Sequence, residues 1–390
     1  MRIGIVISKY SEKSETFIRL KIDALNSTGN KIIVFSDKND TTNNVHFVKN
    51  PILHKNSFKR IIMFCLDTLS IMILKPTIAF KFLRLEKLDQ ISFSNRWANL
   101  FLNSKILRYE LDWLHFGFLT LALRRENVAR AIGAKMAVSL RGYDINTVPL
   151  KDKNIYKSLW NKIDKVHSIS KHLINKANLL NPNQQKQYMI IHPAIDLETF
   201  KYIGDRNHFS TKKIINILTV ARLNWIKGLE ATVEAMGILN LKSIDFHYFI
   251  IGSGEEKERI LFACDSLGIL PRVTIFEDVY HSSVYTYYSN SDLYIQYSHE
   301  EGFCNSILEA QATGIPCIVS NSCGLKENIV NNETGWVVQK NKPTLLAGKI
   351  EEVLEMSQKE ILRIKSNARH RIESRFNLDY QAKLFNRFYD

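Results

Sequence analysis

Along the chain, short runs of consecutive apolar residues alternate with longer stretches in which apolar residues recur every three or four positions. Residues 1–8 and 31–36 are runs of strand length. Between them Phe17, Ile18, Leu20, Ile22 and Leu25 share a helical face that Gly29 closes. This spacing predicts a βαβ opening. Strands are predicted again at 135–140 and 165–169, and the segment 188–196 completes the first set. After a polar, irregular stretch at 197–213, a second set follows at 214–220, 247–251, 273–276, 292–297 and 317–320. Strands separated by helical stretches pair in parallel and are covered on both faces. From Val353 onward the chain is predicted helical, and residues 377–390 carry Tyr380, Leu384, Phe385 and Phe388 on a last helix.

At 390 residues the chain is too long for one ordinary core. The predicted fold class is α/β, with two Rossmann-like, doubly wound domains at residues 1–196 and 197–375 and a terminal helix at 376–390. Residues 51–88 break the rhythm with a long apolar stretch containing scattered Lys and Arg. Asp67 and the Lys75-Pro76 pair interrupt it before it reaches the ~20 clean apolar residues a membrane span needs. Two amphipathic helices are expected there. They form either an insertion packed on the first domain or a surface element lying on a membrane, with Lys55, Lys59 and Arg60 toward the headgroups.

Charge changes this picture. Residues 1–195 hold 31 Lys and Arg against 14 Asp and Glu, a balance of +17. Residues 196–390 hold 22 against 25, a balance of −3. A basic half beside a mildly acidic one points to an anionic surface met by the first domain, with nucleic acid and anionic lipid both qualifying. The five cysteines are scattered, odd in number and without a CxxC pair, which favours a reducing compartment and argues against a zinc site. The N-terminus lacks the apolar region and cleavage site of a signal peptide, so a cytoplasmic location is expected.

Candidate chemistry concentrates in residues 297–321, YSHEEGFCNSILEAQATGIPCIVSN. A strand ends, the loop 299–304 follows, a short helix that Asn305 or Ser306 can cap comes next, and Gly314 and Pro316 lead into another strand. Such a loop lies at the carboxyl end of a parallel sheet, where open α/β folds bind ligands. Glu301 and Glu309 stand on either side of the helix start. Each carboxylate can accept from a vicinal diol, and the free N–H groups of the helix attract phosphate; two solvated glutamates are the plainer alternative. Upstream, Arg222 and Lys227 follow the strand 214–220 and together can neutralise a diphosphate. Gly252 and Gly254 form a tight loop after the next strand, which would let a nucleotide approach the backbone. The loop 8–16 lacks Gly-x-Gly-x-x-Gly, which lowers a dehydrogenase reading, and the chain contains no Asp-x-Asp.

The run E-G-F-x-x-x-x-L-E-A-x-A-x-G-x-P from Glu301 to Pro316 resembles the signature of the retaining glycosyltransferases of family 4, which have the GT-B fold. Val220 to Gly228 resembles the same family's diphosphate-binding loop. The resemblance implies two domains facing across a cleft and a nucleotide-sugar donor held mainly by the second, with UDP favoured over GDP. It implies Glu309 on the ribose, Arg222 and Lys227 on the diphosphate, and Glu301 on the transferred hexose. Gly302, Phe303, Cys304, Asn305, Ser306 and Ile307 would line the donor site. It also implies retention by a front-face route, without a protein nucleophile, a cofactor or a metal.

In the first domain, SETFI with Ser14 and Glu15 is similar to the corresponding loop of family members that build bacterial surface polysaccharides. His115 and Asp144 are further candidates near the acceptor. At Arg141-Gly142-Tyr143-Asp144 the family often carries His-Gly-x-Asp; Arg141 removes an acid/base candidate and leaves a cation suited to a leaving phosphate or an anionic acceptor. The expected acceptor is a glycan or a lipid-linked glycan at the inner membrane face. Two rivals stand beside this expectation: a nucleotide-sugar epimerase of the same fold, and a nucleic-acid-binding protein suggested by the charge. The basic half shows no nucleic-acid module, so no nucleic-acid partner is expected.

Overall fold

The structure, a computed structural model, describes residues 1–10, 16–39, 45–51, 57–181, 186–204 and 214–390. Two compact units divide the chain, Met1–Ile191 with Ala382–Asp390, and His192–Gln381. The stretch from His192 to Gly204 therefore belongs to the second unit. Ser14, Glu15 and Lys55 lie outside the described residues.

The first unit is built on seven parallel strands, β1 (Arg2–Val6), β2 (Lys31–Ser36), β3 (His46–Lys49), β4 (Trp113–Phe116), β5 (Lys135–Leu140), β6 (Lys165–Ser168) and β7 (Gln187–Ile190). Their order in the sheet is β3-β2-β1-β4-β5-β6-β7. Helix α1 (Thr16–Ser27) covers one face, burying Ile18, Ile22 and Leu25 against Ile3, Ile5 and Ile32. Gly29 ends it at φ +82°, a conformation that suits glycine.

Residues 57–103 form three helices, α2 (Ser57–Leu74), α3 (Pro76–Leu88) and α4 (Phe93–Asn103). The break at Lys75 follows from Pro76, which cannot donate into a continuing helix and disfavours helical backbone before it; the two axes differ by 113°. Ile71, Ala79, Phe82 and Leu100 are buried inside the group. Glu86, also buried, accepts from the amides of Asn99 (2.7 Å) and Asn127 (2.9 Å). Asp67 is buried between Lys105 and Arg108. Ile62, Leu66, Leu69 and Ile73 recur on the other side of α2 and are 41 to 68% exposed. No single helix among the described residues is long and apolar enough to cross a membrane.

The second unit carries six parallel strands, β8 (Ile215–Val220), β9 (Phe246–Ile251), β10 (Val273–Phe276), β11 (Leu293–Gln296), β12 (Cys317–Ser320) and β13 (Trp336–Val338), in the order β10-β9-β8-β11-β12-β13. The strand order reverses between β8 and β11, which pair directly. Parallel topology sends both following loops to the same edge, so residues 221–228 and 297–304 become neighbours across the switch point. Helices α5 (His281–Asn290) and α6 (Asn305–Thr313) pack side by side, and α7 (Gln358–Arg375) lies against α6. The last helix, α8 (Leu378–Tyr389), starts in the second unit and ends in the first, where Phe385, Phe388 and Tyr389 complete the core under β1 and β4.

Candidate functional site

At the switch point the geometry follows from the loops. Asn224 caps the short turn Trp225–Lys227, its side chain accepting from the Ile226 N–H at 2.9 Å. Gly228 then takes φ +62°, and a Cβ there would stand 2.2 Å from the Tyr297 carbonyl oxygen. That close approach, with the His299 N–H donating to the Ile226 carbonyl (2.9 Å), fastens the two loops together. Lys227 Nζ thereby meets Glu301 Oε1, and the Ser298 hydroxyl donates to the same oxygen at 3.1 Å. Burial pulls the Lys227 ammonium down, but the Glu301 carboxylate beside it outweighs this and holds its pKa above the usual lysine value. Arg222 is exposed and close enough to act on Lys227 as a like charge. Among the described residues, no three His, Cys, Asp or Glu side chains cluster as metal ligands would.

Gly252 and Gly254 have a reason in the protein itself. At φ +147° and +157°, a Cβ on them would sit 1.9 Å from the Ala221 carbonyl oxygen and 2.2 Å from that of Leu223. The glycines let the loop after β9 press against the one after β8, where the Leu223 N–H donates to the Ser253 carbonyl at 2.9 Å. They fix the backbone that carries Arg222.

Helix α6 begins at Asn305, and neither Asn305 nor Ser306 caps it, contrary to expectation. Cys304 occupies the capping position without a side-chain cap bond. The Ser306 hydroxyl instead donates to the Val220 carbonyl (3.0 Å), which ties the helix start to β8. The Cys304 N–H is taken by the Asn328 side chain (3.0 Å). Burial, reinforced by Glu301, pushes the Cys304 thiol up to about 11, so it is not a nucleophile at neutral pH. Gly302 and Ile307 are buried, and the Phe303 ring is stacked on His192 with centroids 4.9 Å apart. Glu309, one turn inside α6, is buried with both oxygens engaged: the His281 Nε2–H donates to Oε1 at 3.0 Å and the Tyr288 hydroxyl to Oε2 at 2.9 Å.

The first-unit candidates are placed differently from expectation. His115 lies within β4, fully buried beneath α8, because alternate residues of a strand covered on both faces must enter one core or the other. It belongs to a buried chain whose hydrogens are fixed by one carbonyl. His167 Nε2 is 2.9 Å from the Ile191 carbonyl, which can only accept, so His167 Nδ1 accepts from the Ser139 hydroxyl (2.8 Å). Ser139 Oγ then accepts from His115 Nε2 (2.8 Å), and His115 Nδ1 from the Tyr389 hydroxyl (2.6 Å). Burial first, and then the charges of Lys21, His167 and Arg141, hold the His115 pKa well below its ordinary value.

Asp144 is fully buried and accepts from the N–H groups of Leu119, Thr120 and Arg141, so it is a clamp between loops and not a surface group. Arg141 is buried as well, within electrostatic reach of Lys21. Asp144 is held inside because a loop that turns over the sheet edge must satisfy its own N–H groups.

Residues 202–371 match the family Glycosyl transferases group 1. The match lies within the second unit and takes in its two loops at the β8/β11 switch point and α6. The chain is 30% identical over 194 residues to the capsular polysaccharide biosynthesis glycosyltransferase CapM of Staphylococcus aureus, covering 47% of this chain and 49% of that protein. It is 24% identical over 286 residues to the amylovoran biosynthesis glycosyltransferase AmsK of Erwinia amylovora, covering 70% and 68%. The chain thus spans about half of the first relative and about two thirds of the second. In fold it is similar to Anabaena Alr3699/HepE, whose crystal structure is a complex with UDP and glucose, at a TM-score of 0.72, 12% identity and coverage of 99% and 98%. Its two Rossmann-like domains have the GT-B fold.

Proposed function

We propose that this chain is a retaining glycosyltransferase of family 4. It transfers a hexose from a nucleoside diphosphate, UDP in preference to GDP, to a lipid-linked or polysaccharide-precursor acceptor in bacterial surface glycan synthesis. The observation that carries the reading is the meeting of Lys227, Arg222 and Glu301 at the switch point, with Glu309 on the adjoining helix. Two juxtaposed cations suit a diphosphate. The UDP held by the structural neighbour from Anabaena supports a uridine nucleotide. Glu309 receives the ribose hydroxyls and Glu301 those of the hexose, since Lys227 and Ser298, among the described residues, both bond Glu301 at Oε1 and leave Oε2 to a ligand.

In the reaction the bond from the anomeric carbon to the diphosphate oxygen breaks, and its electron pair goes to that oxygen. The acceptor oxygen adds on the same face, and its proton passes to the departing phosphate. The protein contributes position and charge, and no cofactor or metal is required. A thermal-shift screen with UDP, GDP, ADP, CMP and their sugar conjugates tests the reading. A ligand bound only by the native state raises its melting temperature in proportion to the logarithm of its excess over Kd. A shift with one nucleoside diphosphate supports the site; no shift with any, in folded protein, counts against it.

We further propose that the enzyme works at the inner face of the membrane, docked through α2. Its outward stripe of Ile62, Leu66, Leu69 and Ile73 is exposed. The exposed charges described on α2 and α3 are the cations Lys81, Arg84 and Lys87, whereas Asp67 and Glu86 are buried. An apolar stripe with exposed cations on the adjoining helix favours an anionic lipid surface.

A further inference from the structure

We propose that His281 is a positioning residue for Glu309, setting its carboxylate so that two acceptor positions remain for the vicinal hydroxyls of a ribose. The proposal rests on the reading of Glu309 as the ribose contact. His281 is the first residue of α5, reached from the carboxyl end of β10 through a turn in which Asp278 adopts φ +55°. It is therefore on the ligand-binding edge of the sheet, and its side chain is 34% exposed, against 8% for Glu309. The pair opens to solvent on the histidine side, which sets it apart from a polar contact sealed in the core.

The bonds are complementary. Nε2 of His281 must carry a hydrogen to bond a carboxylate, and it does so in the imidazolium and in one neutral tautomer alike. Tyr288 is fully buried, and burial with the Glu309 charge holds its phenol far above the usual range, so it remains a donor. One donor is thus fixed on each oxygen of Glu309. Phe200 closes the back of the arrangement, its ring edge-on to both His281 (5.6 Å) and Tyr288 (5.9 Å). The Phe200 carbonyl is itself held by Arg369 at 3.3 Å. A carboxylate offers about four lone-pair positions. Two are used within the protein, and the remaining two match the two hydroxyls of a diol. Without His281 only the Tyr288 bond holds the carboxylate, and the diol meets a less firmly set acceptor.

The test measures binding of UDP, GDP and ADP, each beside its 2′-deoxy counterpart, by calorimetry on the full chain. For whichever nucleotide binds, His281→Ala is expected to weaken the ribonucleotide about tenfold, the scale of one hydrogen bond to a charged group, and to leave the 2′-deoxy form within about twofold. His281→Gln, which restores an N–H donor at similar reach, is expected to recover most of the loss. Equal losses for both sugars would make His281 a merely structural residue and overturn the proposal, as would unchanged binding of both. If the wild-type protein, melting normally, binds none of the three ribonucleotides, the donor-site reading fails and takes this inference with it. That result is distinct from a wild type that binds and a variant that is indifferent.

Discussion

Lys227 and Glu301 meet as a shielded ion pair where the second sheet reverses its strand order, with side chains only 14% and 11% exposed. Neither residue is free to serve a ligand without consequence for the other. A diphosphate arriving beside Lys227 would share that ammonium with Glu301, and the carboxylate would gain the freedom to turn Oε2 toward a hydroxyl. The pair is a preset charge arrangement. Lys227→Ala leaves a covered carboxylate unpaired, which costs about 3 kcal/mol when a buried pair is broken. It should also reduce turnover at least ~100-fold, a loss of the order seen when one charge-stabilising donor is removed. Lys227→Met with Glu301→Leu should recover more than half of the lost stability without recovering turnover. Urea unfolding beside initial rates checks both; equal stability of the single and double variants would show that the pair does not act as a shielded one.

Glu309→Gln keeps size and shape but turns an amide NH₂ toward a group that is itself a donor, either His281 Nε2 or the Tyr288 hydroxyl. The Tyr288 hydroxyl can answer by turning its hydrogen to the Ser306 carbonyl (3.1 Å), and His281 by moving its hydrogen to Nδ1, so the cost is that of exchanging a charge-assisted bond for a neutral one, about 1 kcal/mol. The variant should melt lower than wild type and bind nucleoside diphosphate at least ~10-fold more weakly, consistent with the loss of a charge-assisted bond. Calorimetry with UDP and a melting curve decide it. Full retention of affinity would remove Glu309 from the donor site.

In the first unit, stability should fall on acidification because of the chain from Tyr389 to His167. The His115 pKa is depressed in the native state, so folding favours the neutral ring. That contribution is fully present above the ordinary histidine value near 6.5. It is lost as pH falls below it, by up to about 1.4 kcal/mol per pH unit for one group. Lys21, whose pKa burial and Arg141 also hold well down, acts in the same direction over a window reaching up to the ordinary lysine range. Unfolding free energies at pH 7.5, 6.5 and 5.5 should therefore decline, and His115→Gln should flatten the trend. Tyr389→Phe should cost about 1–2 kcal/mol at each pH through the lost bond to Nδ1. A flat wild-type profile would contradict the buried neutral chain.

The sequence pattern carried some of this and not the rest. Apolar runs such as KIIVFS and the helical spacing of Phe17 to Leu25 made the parallel units legible, because strands covered on both faces must be apolar throughout. Arg222, Lys227 and Glu301 were picked out by the two stretches that resemble family 4, and the pairing of β8 with β11 is what brings their loops together. His115 and Asp144 were not: a polar residue beside a strand shows its chemistry but not which core it enters. The glycines at 252 and 254 suggested close approach, and the approaching group is the backbone of 221–223. His281 lies in VYHSSVYTYY, where no period marks it, and only the packing of α5 on α6 brings it to Glu309. The edge strand β13 is too short, at three residues, to stand out from turns, and β3 (HFVK) has only two apolar residues between exposed polar ends.

The outward face of α2 makes the most accessible prediction. Ile62, Leu66, Leu69 and Ile73 fall at i, i+4, i+7 and i+11, so one stripe of the helix presents branched aliphatic side chains, while its inner side is tied down through Asp67 to Lys105 and Arg108. A helix anchored on one side and apolar on the other gains by entering the headgroup boundary, and each aliphatic side chain buried there contributes about 1.5–3 kcal/mol if fully covered. Leu66→Ser with Leu69→Ser should therefore lower binding to vesicles of phosphatidylcholine with 30% phosphatidylglycerol by about 10-fold or more, since 1.4 kcal/mol is tenfold. The substitution removes no contact of the core, so the melting temperature should hold within a degree or two of wild type and turnover on a soluble acceptor should not change. Neutralising Lys81, Arg84 and Lys87 should weaken binding to the same vesicles in proportion to their anionic lipid and leave pure phosphatidylcholine unaffected. Vesicle co-sedimentation of the three proteins separates the two contributions, and binding unchanged in both variants would return α2 to the role of a plain surface helix.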